Sequence, residues 1–142
     1  MRPLYETQED LDSERGVAIH LSKIWKCNMS KLPIRYHLDF VAQRGKIAVA
    51  FCEIKVRSYS MNQIGNMGGY MLSLGKWSSA KQMCEASGLP FILVVKTTDG
   101  IWYATIESFK PDSVVVNGRD DRGDWQDIEP CVLINQSRFK KL

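Results

Sequence analysis

The sequence predicts a mixed α/β fold, with helices covering a sheet. Three patterns carry that reading: a helical stripe near the N-terminus, a hairpin pattern after it, and a continuous apolar strand that follows a second helix. In the first, Leu11, Ala18, Leu21 and Trp25 follow the three-and-four spacing of a buried face, which predicts a helix from about Glu6 to Lys26. Glu14 lies on that same stripe, and Gly16 weakens the helix by ~1 kcal/mol relative to alanine if it is interior. A connection containing Pro33 then leads into extended chain from Ile34 to Ala42. Arg44-Gly45-Lys46 supplies turn chemistry before a second extended run, Ile47 to Lys55, and the two runs should pair as an antiparallel hairpin.

Ser58 to Gly69 is rich in Ser, Asn and Gly and reads as a loop with little regular structure. A second helix is predicted from about Tyr70 to Ser87, with Tyr70, Leu74, Trp77, Ala80 and Cys84 sharing a face and Gly88 and Pro90 stopping it. Phe91 to Lys96 is a strand covered on both faces. Asp99-Gly100 turns the chain into a further strand, Ile101 to Ile106, and Val114 to Val116 and Val132 to Ile134 add short strands around a polar loop.

With 142 residues and no repeat or long linker, the chain is expected to form a single domain over residues 1–142. No apolar run approaches the ~20 residues needed to cross a bilayer. Acidic residues follow Met1-Arg2 where a signal peptide would be apolar, and the four cysteines form no CxxC pair. Reduced thiols in an intracellular protein are therefore expected, rather than a disulfide framework or a structural zinc site. The net charge of +3 is unevenly spread: residues 1–14 carry −4, residues 15–110 carry +8 and residues 111–142 carry −1. A basic body between acidic ends points toward a polyanionic partner.

Three features could carry chemistry. Glu14 is a carboxylate where the stripe predicts burial, which is costly unless it is paired or bound. Asp39 and Glu53 lie on the two arms of the hairpin. With the turn centred on Gly45, Asp39 would face Phe51 and Glu53 would face His37, leaving the carboxylates as diagonal neighbours at roughly 7 Å or less. Two such groups can share a divalent cation, and a register slip of one residue would place them on opposite faces. Third, strand alternation puts Lys55 on the face of Glu53, with Ile54 turned into the sheet. A lysine there can stabilise a phosphorane-like transition state or orient an attacking water.

Asp39, thirteen intervening residues, then Glu53-x-Lys55, preceded by the helix-borne Glu14, resembles the PD-(D/E)xK nuclease superfamily. The closest flavour is the compact kind seen in archaeal Holliday-junction resolvases and small phage-encoded nucleases. The resemblance covers about residues 10 to 107. It implies a restriction-endonuclease-like mixed sheet flanked by helices, with an αβββαβ core, and a metal-dependent DNA endonuclease. Asp39, Glu53 and the Ile54 carbonyl would hold Mg²⁺, with Mn²⁺ as an alternative. Lys55 would be the catalytic lysine, and Glu14 the helix glutamate that assists. Leu38 stands where the family has a proline, and the short segment between the first helix and Asp39 requires the first core strand to be brief or distorted. Gln63 and Tyr70, seven apart, do not match the four-residue spacing of the exonuclease branch.

His20 is read as solvated and His37 as a packing neighbour. Asp120, Asp121, Asp124 and Asp127 lack EF-hand spacing, and Trp77 and Trp102 belong to the core. Arg35, Arg57, Lys76, Lys81 and Lys96 are the candidates for contacts to DNA phosphates. Two cuts in a duplex or junction would suit a homodimer, and a phage-encoded chain would work in the host cytoplasm. A nuclease-like module that binds DNA or protein without cutting accounts for the imperfect match equally well.

Overall fold

In the computed structural model, which describes residues 7–33, 36, 38–106, 111, 113–118 and 128–142, the helical stripe folds as its spacing requires. Helix α1 (Gln8–Trp25) buries Glu14, Val17, Ala18 and Leu21, while His20 on its far side is exposed. Gly16 is inside the helix with open space around it. Strand β1 (Asn28–Lys31) follows and is the brief first strand that the spacing before Asp39 demands. Strands β2 (Phe40–Arg44) and β3 (Ile47–Val56) make the hairpin. The ladder of the first arm starts at Phe40, after a bend at Leu38 and Asp39, while Ile34, Arg35 and His37 of the expected run lie outside the described residues.

The hairpin register differs from the expected one in an instructive way. Phe40 pairs with Cys52, Val41 with Phe51 and Ala42 with Ala50, whereas Gln43 pairs with Ala48 and Arg44 with Ile47. The turn is Gly45-Lys46 rather than centred on Gly45, which moves the register by one. Val49 is an extra residue opposite the Ala42/Gln43 step, a bulge that moves it by one again. Asp39 thus continues the ladder toward Glu53 instead of Phe51. Because two single-residue offsets add to an even number, both carboxylates keep to one face.

Ser58 to Gly69 is not a structureless loop. It contains helix α2 (Met61–Asn66), opened by a capping box in which the Ser60 hydroxyl accepts from the Gln63 amide and the Gln63 side chain accepts from the Ser60 amide. Met61 and Ile64 of this helix are buried. Nor does the second long helix start at Tyr70. Tyr70–Ser73 is strand β4, because its alternating burial fits a sheet edge, and helix α3 (Leu74–Ser87) begins only after Ser73 caps it. Gly88, in the left-handed conformation, ends α3 as expected.

Strands β5 (Phe91–Thr97) and β6 (Gly100–Thr105) complete the centre of the molecule, β5 running parallel to β3 and antiparallel to β6. Strands β7 (Ser113–Gly118) and β8 (Ile128–Ile134) pair with β4 in a separate sheet of order β4-β8-β7. The acidic stretch with Asp120, Asp121, Asp124 and Asp127 lies outside the described residues. A turn of 3-10 helix and the short β9 (Lys140–Lys141) close the main sheet, whose order is β1-β2-β3-β5-β6-β9. Its two faces carry two cores. Val17, Ala18 and Leu21 of α1 pack on Phe40, Cys52, Ile54 and Val94. Phe91, Leu93 and Val95 face Met61, Ile64, Trp77 and Val132 on the other side.

Among the described residues no helix is long and apolar enough to cross a membrane. The four cysteines carry no disulfide. Burial, with Cys27 adding to it, pushes the Cys52 thiol up to about 12, so it packs as a neutral side chain.

Candidate active site

Strand β3 supplies the centre of the site. Its Ile54 is fully buried against α1, so its neighbours Glu53 and Lys55 point to the opposite face. Glu53 is itself completely buried. An ion brought that far out of water is penalised by several kcal/mol unless partners replace the solvent. Its Oε2 accepts a hydrogen bond from the Asp39 amide at 3.1 Å. Oε1 lies 2.5 Å from the Lys76 ammonium and 3.3 Å from that of Lys55, yet neither is aligned as a hydrogen bond. One lone-pair-rich oxygen at the bottom of the site is therefore held by charge alone.

Asp39 is fixed from three directions. Its carbonyl accepts from the Leu32 amide at 2.7 Å, its amide is used by Glu53, and its Oδ2 accepts from the Ile54 amide at 3.4 Å. The remaining oxygen, Oδ1, has Lys31 at 3.7 Å and Lys76 at 3.8 Å. Glu14 joins through Lys31, whose ammonium is 3.3 Å from its Oε2. Burial first, then the charge of Asp39, raise the Glu14 carboxyl above its ordinary value, against the opposing pull of Lys31 and Lys55. For Lys55, burial acts to lower the ammonium, but Glu53, then Tyr70 and Asp39, outweigh it and hold the group above the usual lysine value. Three carboxylates from α1, the β2 entry and β3 thus meet three lysines from β1, β3 and α3.

The oxygens fit a hard divalent cation. Asp39 Oδ1 and Glu53 Oε1 face the same ammonium, and Glu53 Oε1 has no aligned hydrogen bond to lose. An all-oxygen donor pair suits Mg²⁺ or Mn²⁺, which keep several water or phosphate ligands. Among the described residues no group of three His, Cys, Asp or Glu side chains is placed to share one ion. Glu14 reaches the pair through Lys31.

The family described as "Phage putative PDDEXK endonuclease" matches residues 1–142. The chain belongs to that family. Among curated proteins no relative matches. Among solved structures, Archaeoglobus fulgidus Hjc, a Holliday junction resolvase from an archaeal hyperthermophile, aligns with a TM-score of 0.59 and 13% identity over 95% of this chain and 93% of that one. At that identity the likeness is one of fold: a mixed sheet flanked by helices, as the resemblance of the sequence implied.

In this PDDEXK endonuclease-family chain, Glu14, Asp39, Glu53 and Lys55 are brought together, as their spacing led us to expect. The phosphate candidates divide. Lys76 is drawn into the carboxylate cluster instead of lying on an outer surface. Arg57 donates to the Tyr70 hydroxyl at 2.9 Å and to the Val56 carbonyl. Lys81 is half-buried on α3 and Lys96 is exposed on β5, while Arg35 lies outside the described residues. Gln63 and Tyr70 belong to different elements, α2 and β4, so they form no pair on one helix.

Sequence reasoning missed Lys31. Asn28-Met29-Ser30-Lys31 has neither β-branched residues nor an apolar alternation, so nothing local announces β1 or the lysine at its end. For Lys76 the signal was hidden, because a helix read from Tyr70 places it in the second turn and only the start at Leu74 brings it into the first. A lysine in the first turn opposes the helix dipole, which favours an anion beside it.

Proposed function

We propose that the chain is a divalent-metal-dependent DNA endonuclease that hydrolyses phosphodiester bonds in duplex or branched DNA. The observation that carries the reading is the meeting of Asp39 Oδ1, Glu53 Oε1 and Lys55 in one cluster whose buried Glu53 oxygen lacks an aligned donor. Asp39, Glu53 and the Ile54 carbonyl would hold Mg²⁺ or Mn²⁺. When bound, such an ion supplies Lewis acidity and a nucleophile at neutral pH. The protein does the rest by placement. The Asp39 amide fixes the orientation of Glu53, and the Ile54 amide fixes that of Asp39. Lys55, kept as an ammonium by its acidic neighbours, offsets the negative charge that gathers on the attacked phosphate. Lys31 ties Glu14 to Asp39 and so couples α1 to the reacting end of the sheet. A second copy would bring the second site that cleavage of both strands requires.

The test is cleavage of labelled linear duplex, a four-way junction and supercoiled plasmid, each with Mg²⁺ or with EDTA. Lys55→Ala and Asp39→Asn preparations run alongside to exclude a contaminant. Cleavage should need the metal and fall by at least ~10²-fold in either variant, the scale of a lost transition-state charge partner. Variants that cut like the parent chain would sink the assignment of roles. A second reading, a module that binds DNA without cutting, draws support from the Lys76 ammonium beside Glu53. Retained binding with no cleavage of any substrate would favour it.

A further inference from the structure

Lys76 is surplus to the cluster of Glu14, Asp39, Glu53 and Lys55 that the motif requires, and its position is unlike that of the other two lysines. Lys55 touches Glu53 at 3.3 Å, and Lys31 touches Glu14 and Asp39. Lys76 alone of the three reaches both Glu53 Oε1, at 2.5 Å, and Asp39 Oδ1, at 3.8 Å. Those are the two oxygens a cation would bridge. We propose that Lys76 is a placeholder for the metal: its ammonium holds the seat between Asp39 and Glu53 in the metal-free protein, leaves when a divalent cation binds, and then pairs with a phosphate of the DNA. The proposal rests on the reading of Asp39 and Glu53 as the metal pair.

Two features of the chain support a mobile ammonium there. First, its anchor is secure while its tip is not. Lys76 stands in the first turn of α3, where its amide donates to the Ser73 capping hydroxyl at 3.1 Å, and the side chain is 28% exposed. The backbone stays in place while the tip can swing to solvent. Second, a positive side chain in the first turn opposes the helix dipole, so only the carboxylates favour the inward position. Once a dication neutralises them, the like charges of ion and ammonium repel at close range. The freed ammonium then faces the polyanion that the metal serves. Metal and DNA would in this way bind with positive coupling, and a site without metal would keep its buried carboxylate partnered.

The experiment is calorimetric titration of Mn²⁺ into the metal-free full chain and into Lys76→Met, Lys76→Gln and Lys31→Met, with thermal melts of each protein with and without Mn²⁺. Neither Lys76 variant disturbs the capping bond, which uses the main chain. Both should bind Mn²⁺ at least tenfold more tightly than the parent, and both should melt lower than it without metal and gain more from the ion. Lys31→Met, which does not touch Glu53, should change Mn²⁺ affinity much less. DNA binding in Ca²⁺ should show a salt slope shallower by about 1 for Lys76→Met than for the parent, with no difference in EDTA. Equal or weaker Mn²⁺ binding by both Lys76 variants, with the parent still binding the ion, would overturn the placeholder and leave the metal pair standing. No Mn²⁺ binding by any of the four proteins would overturn both.

Discussion

Glu14 is where burial and charge conflict most directly in this chain. It is 8% exposed on the inner face of α1, and its one hydrogen-bond donor among the described contacts is Lys31, itself shared with Asp39. Burial and the nearby Asp39 raise its carboxyl above the ordinary value, so the fold favours the protonated form. The linkage sign follows: stability from this group is fully present below the unfolded value and is lost as pH rises through the folded one. Glu14→Gln should therefore melt higher than the parent at neutral pH, by about 0.5–2 kcal/mol, the usual gain when a functional site is relieved. The advantage should vanish at acidic pH below the carboxylate range, while cleavage by the variant falls because Lys31 loses its link to α1. Melts across the pH range check it, and a lower melting point for Glu14→Gln at neutral pH would contradict the assignment. The placement of Glu14, Asp39, Glu53 and Lys55 was legible because helix spacing and strand alternation both act over a few residues. Lys31 and the inward turn of Lys76 were not, since each depends on partners that only the tertiary fold brings near.

At the scale of elements, the hairpin brings its two carboxylates together by a different register from the one that strand alternation predicts. A turn of two residues and the bulge at Val49 each shift the ladder by one, and together they restore the parity that keeps Asp39 and Glu53 on one face. A change of one residue between the bulge and Glu53 should put Glu53 on the wrong side. Insertion of one alanine between Ala50 and Phe51 is thus expected to abolish metal-dependent cleavage, whereas deletion of Val49, which removes only the unpaired residue and leaves Ala42–Ala50 and Phe40–Cys52 paired, should retain it. Bulges of this kind leave little trace in residue type, which is why the alternation gave the face and not the pairing. The segment from Ser58 to Ser73 was misread for a related reason. Its Gly and Asn content resembles a loop, but the capping box at Ser60 and Gln63 nucleates α2, and Gly69 serves a close approach. At φ +130°, a Cβ on Gly69 would sit 2.6 Å from the Ile134 carbonyl oxygen. Gly69→Ala should cost about 1–3 kcal/mol, read by denaturant unfolding, because both the backbone conformation and the contact forbid the side chain. A neutral result would mean that β4 and β8 approach less closely than this.

For the whole molecule, the +8 of residues 15–110 overstates the charge open to DNA. Lys31, Lys55 and Lys76 are spent on the three carboxylates, and Arg57 is engaged by Tyr70 through a hydrogen bond at 2.9 Å and by its guanidinium lying over the ring. The sequence could rank these residues only as cations, since partners on other elements decide which remain available. Lys96, exposed on β5, and Arg57 therefore make a discriminating pair. Lys96→Ala should leave the melting point unchanged, weaken DNA binding equally for unrelated sequences, and reduce the salt slope by about 1, as expected when one phosphate contact is lost. Arg57→Ala should instead lower stability by about 1–3 kcal/mol, since it leaves the buried Tyr70 hydroxyl without its donor. Anisotropy titrations between about 50 and 200 mM salt, with melts of the same proteins, separate the two effects. If Lys96→Ala changed neither the slope nor the affinity while Arg57→Ala changed both at constant stability, the DNA path would run past β4 and Tyr70 instead of past the C-terminal end of β5.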